Sequence, residues 1–274
     1  MTLPIFETLE LILGGDQGQV AEVHLNRPEK ANAMNAAMWR ELQSCFEWLD
    51  AEPSVRVVIL AGRGKHFCAG IDLEMLSEMF GEGMEPARRA EAFRRHVLAL
   101  QDNLSAIEKC RKPVLAAIHH SCVGGAIDMV TCCDMRYASE DAWFSVREVD
   151  VGLTADVGTL QRLPKLVPDG VARELAYTAR SVDAAEAREI GLVNRVYENR
   201  DLMMQDVREI AGTIAAKSPM AIRGTKEMIL YARDHSVADS LNHVATWNAG
   251  MLSAADVREA MTAQMEKRTA SFDD

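Results

Sequence analysis

Three carboxylates stand in stretches that are otherwise small and apolar: Asp128 in VGGAIDMV, Glu148 in SVREVDVGL and Asp156 in GLTADVGTLQRLP. Acids gathered in an apolar pocket repel one another's charge, so at least one keeps its proton near neutral pH while another is ionised. Such a set can take a proton from one carbon and return one to another, which is general acid–base chemistry. Each acid also has a plain structural use. Asp128 falls in a first helical turn, where a carboxylate suits the helix dipole. Glu148 adjoins Arg147 and could pair with it, and Asp156 could cap the helix of VGTLQRL. Asp150, two residues past Glu148, alternates to the opposite face of a strand and reads as structural.

Two turns could supply the complementary electrophilic site. VVILAGRGKHFCAGID and AAIHHSCVGGAID each run from a buried strand through a polar stretch to glycine and then to a helix. Glycine lets backbone approach a ligand closely, and a helix start offers unpaired N–H groups at the positive end of its dipole. Two such ends brought together would aim two donors at one oxygen and stabilise charge developing on a carbonyl. Neither turn has the spacing of a phosphate loop or of a dinucleotide fingerprint. His119 and His120 invite a catalytic-triad reading, but no G-x-S-x-G elbow accompanies them, so a packing or hydrogen-bonding role is expected.

The elements that must position these groups alternate strand and helix through the first two thirds of the chain. QVAEVHLN sets Ala21, Val23 and Leu25 on an apolar face opposite Val20, Glu22 and His24. NAAMWRELQSCFEWLDAE carries a helical stripe of Met38, Leu42, Cys45, Phe46 and Leu49 behind an Asn35 cap. VRVVILAG and KPVLAAIHH are buried strands; a long helix spans 86–110; GGAIDMVTCC is a helix; DMRYAS and AWFSV are short strands. This alternation predicts an α/β fold with crossovers on a mostly parallel sheet. Past residue 158 the pattern turns helical. There is a capping box at Asp183 and Glu186 ending at Gly191, a stripe of Leu202, Val207, Ile210 and Ile214, Pro219 in a first turn, and a last stripe of Val257, Met261 and Met265.

The 274 residues suffice for a sizeable core, and 48% apolar with 26% charged residues is globular composition. A net charge of -11 argues against a nucleic-acid partner. Six cysteines lack metal-type spacing and read as buried thiols. No secretory or transit pattern opens the chain, no apolar run is long enough for a membrane helix, and ASFDD is no peroxisomal address, so a cytoplasmic protein is the expectation.

HFCAGIDLEML, KPVLAAIHHSCVGGAIDMVTCCDMRYAS and FSVREVDVGLTADVGTLQRLPKLV together resemble the enoyl-CoA hydratase/isomerase (crotonase) superfamily. HLNRPEKANAMN is similar to its N-terminal CoA-loop signature and ARSVDAAEAREIGLVNRVY to the segment before its C-terminal helices, so the resemblance covers about residues 5 to 270. It implies a crotonase-like spiral of β-β-α units over 1–200 and a helical oligomerisation region over 201–274. A homotrimer, or a hexamer made as a dimer of trimers, is the implied assembly. It also implies an acyl-CoA thioester substrate whose carbonyl is held by the N–H groups of Ile71 and Gly125, with Gly70, Ile71, Asp72, Leu73, Gly125 and Ala126 around it. No metal or redox cofactor is implied, since CoA arrives with the substrate. Arg27, Lys30 and Lys226 are candidate contacts for its phosphates, though each could equally be a solvated surface charge.

Hydratases of the superfamily carry glutamate where Asp128 and Glu148 stand and glycine near Asp156; the Asp/Glu/Asp set looks like that of the Δ3,5-Δ2,4-dienoyl-CoA isomerases. The resemblance therefore implies a shift of two double bonds in 3,5-dienoyl-CoA during fatty-acid β-oxidation. Asp156 would be the base at C2, Glu148 the acid at C6, and Asp128 the group that orients or tunes Glu148. The alternatives are hydration of 2-enoyl-CoA by Glu148 with Asp128, and a non-catalytic CoA-binding homologue.

Overall fold

A computed structural model describes residues 3–15, 18–78 and 85–274. In chain order the elements are β1 (Leu9–Gly14), β2 (Val20–Leu25), α1 (Ala36–Ala51), β3 (Val57–Gly62), α2 (Leu73–Glu78), α3 (Pro86–Lys109), β4 (Val114–Ile118), β5 (Ser121–Val123) and α4 (Gly125–Thr131). There follow β6 (Met135–Ser139), β7 (Trp143–Ser145), α5 (Thr159–Arg162), α6 (Asp169–Thr178), β8 (Val182–Asp183), α7 (Ala184–Glu189) and β9 (Arg195–Tyr197). The chain closes with α8 (Arg200–Ala215), α9 (Pro219–Ala232), α10 (Val237–Met251) and α11 (Ala254–Glu266).

β1 pairs antiparallel with β2, and β2, β3, β4, β6 and β9 then follow in parallel to complete one sheet. A smaller sheet holds β5, β7 and β8, with a single bridge joining Cys68 to Cys122 of β5 and another joining Met34 to Ile71. The α/β spiral is visible in how β4, β5 and α4 succeed one another: one strand enters the large sheet, the next enters the small one, and a helix returns the chain. β6 and β7 repeat the step.

The central strands β2, β3 and β4 are buried on both faces. Against one, α1 lays Met38, Trp39, Leu42, Cys45, Phe46 and Leu49, its start fixed by Asn35 Oδ1 accepting the Met38 N–H at 3.0 Å. Side chains of this size contribute about 1.5–3 kcal/mol each by leaving water, so truncating Leu42 to alanine would cost roughly 2–5 kcal/mol. Against the other face α8 packs Met203, Met204, Val207, Ala211 and Ala215 on Val57, Ile59, Leu115 and Ala117. This cover explains why β2 is buried throughout, Glu22 and His24 included: Arg208 of α8 grips the Glu22 carboxylate at 2.6 and 3.0 Å. Residues 201–215, grouped by sequence with the C-terminal helices, thus pack on the main sheet, and Leu202 lies outside their buried stripe.

One other local expectation changes. Asp183 caps α7 through the Glu186 N–H, but the Glu186 carboxylate turns to Arg180, so the box closes on one side only. All six cysteines are buried free thiols. Burial pushes Cys68 and Cys133 up to about 12, which leaves them unreactive.

Candidate active site

The site begins with a buried asparagine. Asn32 sits in the left-handed region (φ 54°), which its short amide tolerates. Its Oδ1 accepts the Arg27 N–H at 2.8 Å, and its Nδ2 is shared among the carbonyls of Arg63, His66 and Phe67 at 2.9, 2.8 and 3.1 Å. One fully buried side chain thereby ties the segment after β2 to the turn after β3.

That turn then meets its counterpart after β5. Gly70 has φ +94°, and a Cβ there would stand 2.6 Å from the Val123 carbonyl, so the two backbones touch only because residue 70 has no side chain. Met34 donates to Gly70 O at 2.8 Å and accepts from Asp72 N–H at 3.0 Å. A parallel bridge that uses the residues flanking Ile71 directs the Ile71 N–H to the opposite edge. Gly125 lies nearby: a Cβ on it would be 3.8 Å from Ile71 N. As the first residue of α4, Gly125 has no intrahelical acceptor for its own N–H. Among the described residues, neither N–H donates to a protein acceptor.

The neighbours of these amides have separate tasks. Asp72 accepts from Arg27 Nη1 at 3.0 Å and from the Glu74 N–H at 3.2 Å, while Arg27 also donates to Ala33 O at 2.5 Å. Arg27 and Asp72 therefore brace the two loops. Leu73 is exposed at the start of α2, and Ala126 is fully buried in the core. Lys30 is exposed, 3.8 Å from Glu74. Lys226 is buried, and its ammonium bonds Asp134 at 2.7 Å and the Lys112 carbonyl at 3.0 Å. It is a structural cation whose charge is taken up inside the chain.

The three acids converge from different elements. Asp128, on the inward face of α4, is fully buried; its Oδ1 accepts the Thr159 N–H at 2.5 Å and its Oδ2 has no protein partner. Asp128, from another helix, and not Asp156, thus accepts the first N–H of α5. Burial pushes its carboxyl up to about 6, against the pull of Thr159 and with a further push from Asp156. Glu148 opens a 3-10 turn over Glu148–Val151, so strand alternation does not apply to Asp150, which faces solvent and pairs with Arg147 at 3.7 Å. Arg147 being so occupied, Glu148 keeps a buried, unpartnered Oε2. Burial first, then the charge of Asp128 and more weakly that of Asp156, hold its carboxyl up at about 7. Asp156 is more exposed; burial raises its carboxyl too, while His96 pulls the other way. The charge of Asp156 reaches both Asp128 and Glu148, and that of Asp128 reaches Glu148, so the three carboxyls lie within electrostatic range.

The histidine pair lies apart from this chemistry. His119 Nε2 meets Gly64 O at 3.1 Å, and burial lowers its pKa to about 4. His120 takes a left-handed backbone and packs edge-on against His66, whose Nδ1 meets Ser121 Oγ at 2.9 Å. Sequence reasoning passed over His96, whose Nε2 is buried without a partner, and Gln101, whose amide donates to Asp156 O at 2.6 Å. The spacing of His96 with the buried Leu100, Leu104 and Ile107 was the available signal.

Residues 15–274 match the family model described as enoyl-CoA hydratase/isomerase. The chain belongs to the enoyl-CoA hydratase/isomerase family. It is 45% identical over 275 residues, covering 99% of both chains, to the peroxisomal Δ(3,5)-Δ(2,4)-dienoyl-CoA isomerase of Arabidopsis thaliana. With the mitochondrial enzyme of the same name from Mus musculus it shares 46% identity over 92% of this chain and 78% of that one. The crystal structure of an enoyl-CoA hydratase from Bacillus anthracis superposes with a TM-score of 0.88 at 32% identity, covering 97% and 99% of the two chains. Both isomerases are named for organelles, which overturns the expectation of a cytoplasmic protein. An organelle address need not resemble the leader patterns or the terminal tripeptide on which that expectation rested.

Proposed function

We propose that this enzyme converts 3,5-dienoyl-CoA into 2,4-dienoyl-CoA in fatty-acid β-oxidation. The observation that carries the reading is the third carboxylate: Asp156 lies within electrostatic range of Glu148 and Asp128 and pushes both carboxyls upward. Adding water across one double bond does not call for this extra acid. Moving two double bonds does, because protons leave and arrive at carbons four bonds apart.

In this mechanism the Ile71 and Gly125 N–H groups hold the thioester oxygen and lower the cost of charge on it. Asp156, the more solvated acid, is ionised and takes a C2 proton. The resulting dienolate keeps its charge largely on the oxygen. Glu148, protonated up to about pH 7, delivers a proton at C6. The C3–C4 and C5–C6 double bonds become C2–C3 and C4–C5, and no atom is gained or lost. Asp128 holds Glu148 in its protonated form by its own charge. The reading calls for no metal or redox cofactor, as CoA enters with the substrate.

The reading extends to assembly as a homotrimer, with a hexamer as a dimer of trimers. Its support is that α10 buries no side chain within the chain, while Ile229, Leu241, Leu252, Met261 and Met265 on the C-terminal helices are exposed. Large apolar side chains left exposed along the C-terminal helices suit a contact between proteins.

Purified protein assayed on 3,5-dienoyl-CoA should give a rise in conjugated-dienoyl absorbance. Hydration of 2-enoyl-CoA with no such rise would overturn the isomerase reading, and light scattering of a monomer at assay concentration would overturn the assembly.

A further inference from the structure

The Asp128 carboxylate owes its position to α5, and α5 cannot stand by itself. A single turn, Thr159–Arg162, has too few hydrogen bonds to offset the cost of ordering it. Gly158 precedes it with φ +135° and no side-chain cap. Arg162 folds back over that glycine: a Cβ on residue 158 would stand 2.0 Å from Arg162 Nη1, so the guanidinium occupies the space a side chain would need. The guanidinium is gripped from α3, with Nε and Nη2 on Glu108 Oε2 at 3.2 and 2.9 Å and Nη2 on Ser105 Oγ at 3.3 Å. The other oxygen of Glu108 takes Arg233, at the end of α9, at 2.6 Å. Arg162 and Glu108 are both largely withdrawn from solvent.

We propose that Arg162 is a positioning residue for the proton-transfer acids. It fixes the Gly158–Thr159 turn that presents an N–H to Asp128, and it places positive charge behind that carboxylate. A brace joining α3, α5 and α9 would explain the ion pairs but not their charge balance. Two cations, Arg162 and Arg233, share one carboxylate, and the buried negative charge near the remaining positive one is Asp128. The electrostatics agree: Arg162 lowers the pKa of Asp128, and Asp128 raises that of Arg162. The groups facing Asp128 are Glu148 from the turn after β7, Asp156 and the Thr159 N–H from the segment entering α5, Arg162 from α5 itself, and Cys132 from its own helix. Arg162 is the cation of this set. Without it Asp128 retains its proton to higher pH, and its charge no longer holds the proton on Glu148.

The inference rests on the isomerase reading for its kinetic test. In Arg162→Met the alkaline limb of the kcat profile should move to lower pH, with kcat at pH 7.5 down by about tenfold or more and KM within about twofold. Arg162→Lys keeps the charge and loses the fork, and Glu108→Gln weakens the grip; both should lower kcat with the limb in place. Arg162→Met with an unmoved limb and a wild-type melting curve overturns the proposal, as does wild-type kcat in all three variants. Should Arg162→Met fail to fold, the other two decide: lowered kcat supports the proposal and wild-type kcat overturns it. A ¹³C-carboxyl NMR titration of Glu148 in wild type and Arg162→Met reads the same displacement without substrate. An inactive wild type would therefore defeat the isomerase reading, while the Arg162 inference would stand or fall on the titration.

Discussion

Asp128 and Glu148 each keep one carboxylate oxygen buried without a hydrogen-bond partner, and the charge on the first helps hold the second at about 7. The two acids come from α4 and from the turn after β7, so the coupling exists only once the small sheet has formed. Replacing Asp128 with asparagine keeps an oxygen for the Thr159 N–H and removes the charge. The alkaline limb of activity, set by the proton on Glu148, should then move to lower pH. A pH–rate profile of Asp128→Asn against wild type measures this, and a limb displaced to higher pH would contradict the arrangement.

Glu148→Gln removes the group proposed to donate at C6 while filling nearly the same volume. General acid–base groups contribute on the order of 10²–10⁴-fold. The expected result is a kcat loss of that size with KM for the dienoyl-CoA within a few-fold of wild type, read by steady-state kinetics.

The same substitution should stabilise the protein at alkaline pH. The Glu148 carboxyl, ordinarily at 4.5, is raised to about 7 in the folded state, so its favourable contribution is complete below 4.5 and is lost as pH rises through 7. Glutamine carries no charge to bury. Chemical denaturation at pH 8 should therefore show Glu148→Gln more stable than wild type by up to about 3 kcal/mol, with the difference vanishing near pH 4.

Gly70→Ala tests the backbone contact between the two turns. Its Cβ would meet the Val123 carbonyl at 2.6 Å in a conformation alanine disfavours, so Ile71 and Gly125 must separate. Loss of one oxyanion donor costs about 10²–10³ in kcat. A loss of that order, with the far-ultraviolet spectrum unchanged, is expected.

Lys226→Met separates a structural cation from a ligand contact. Breaking its buried pair with Asp134 should destabilise by roughly 3–5 kcal/mol, seen as a lowered melting temperature. KM for acyl-CoA at 15 °C should stay as in wild type.

Much of the fold was legible because burial imposes period: the α1 stripe and the apolar runs of β3 and β4 each declare the face they bury. The site was legible by residue type more than by geometry. Asp128 could be placed on a helix, but the N–H it accepts lies 31 residues onward in a turn with no local reason to come close. The burial of Lys226 was hidden because its partners, Asp134 and the Lys112 carbonyl, lie 92 and 114 residues away. Asn32 left a faint mark: no glycine occupies the left-handed pair Ala31–Asn32, and of the two only asparagine has a side chain able to knit the loops.

In the proposed mechanism the donors for the thioester oxygen belong to the main chain at Ile71 and Gly125, while the acids that move protons are side chains on other elements. Point substitution can therefore exchange, lengthen or delete an acid without touching the grip on the substrate. A descendant gene could inherit the handle intact and acquire a new reaction one codon at a time, which makes this architecture easy to repurpose and hard to disable outright.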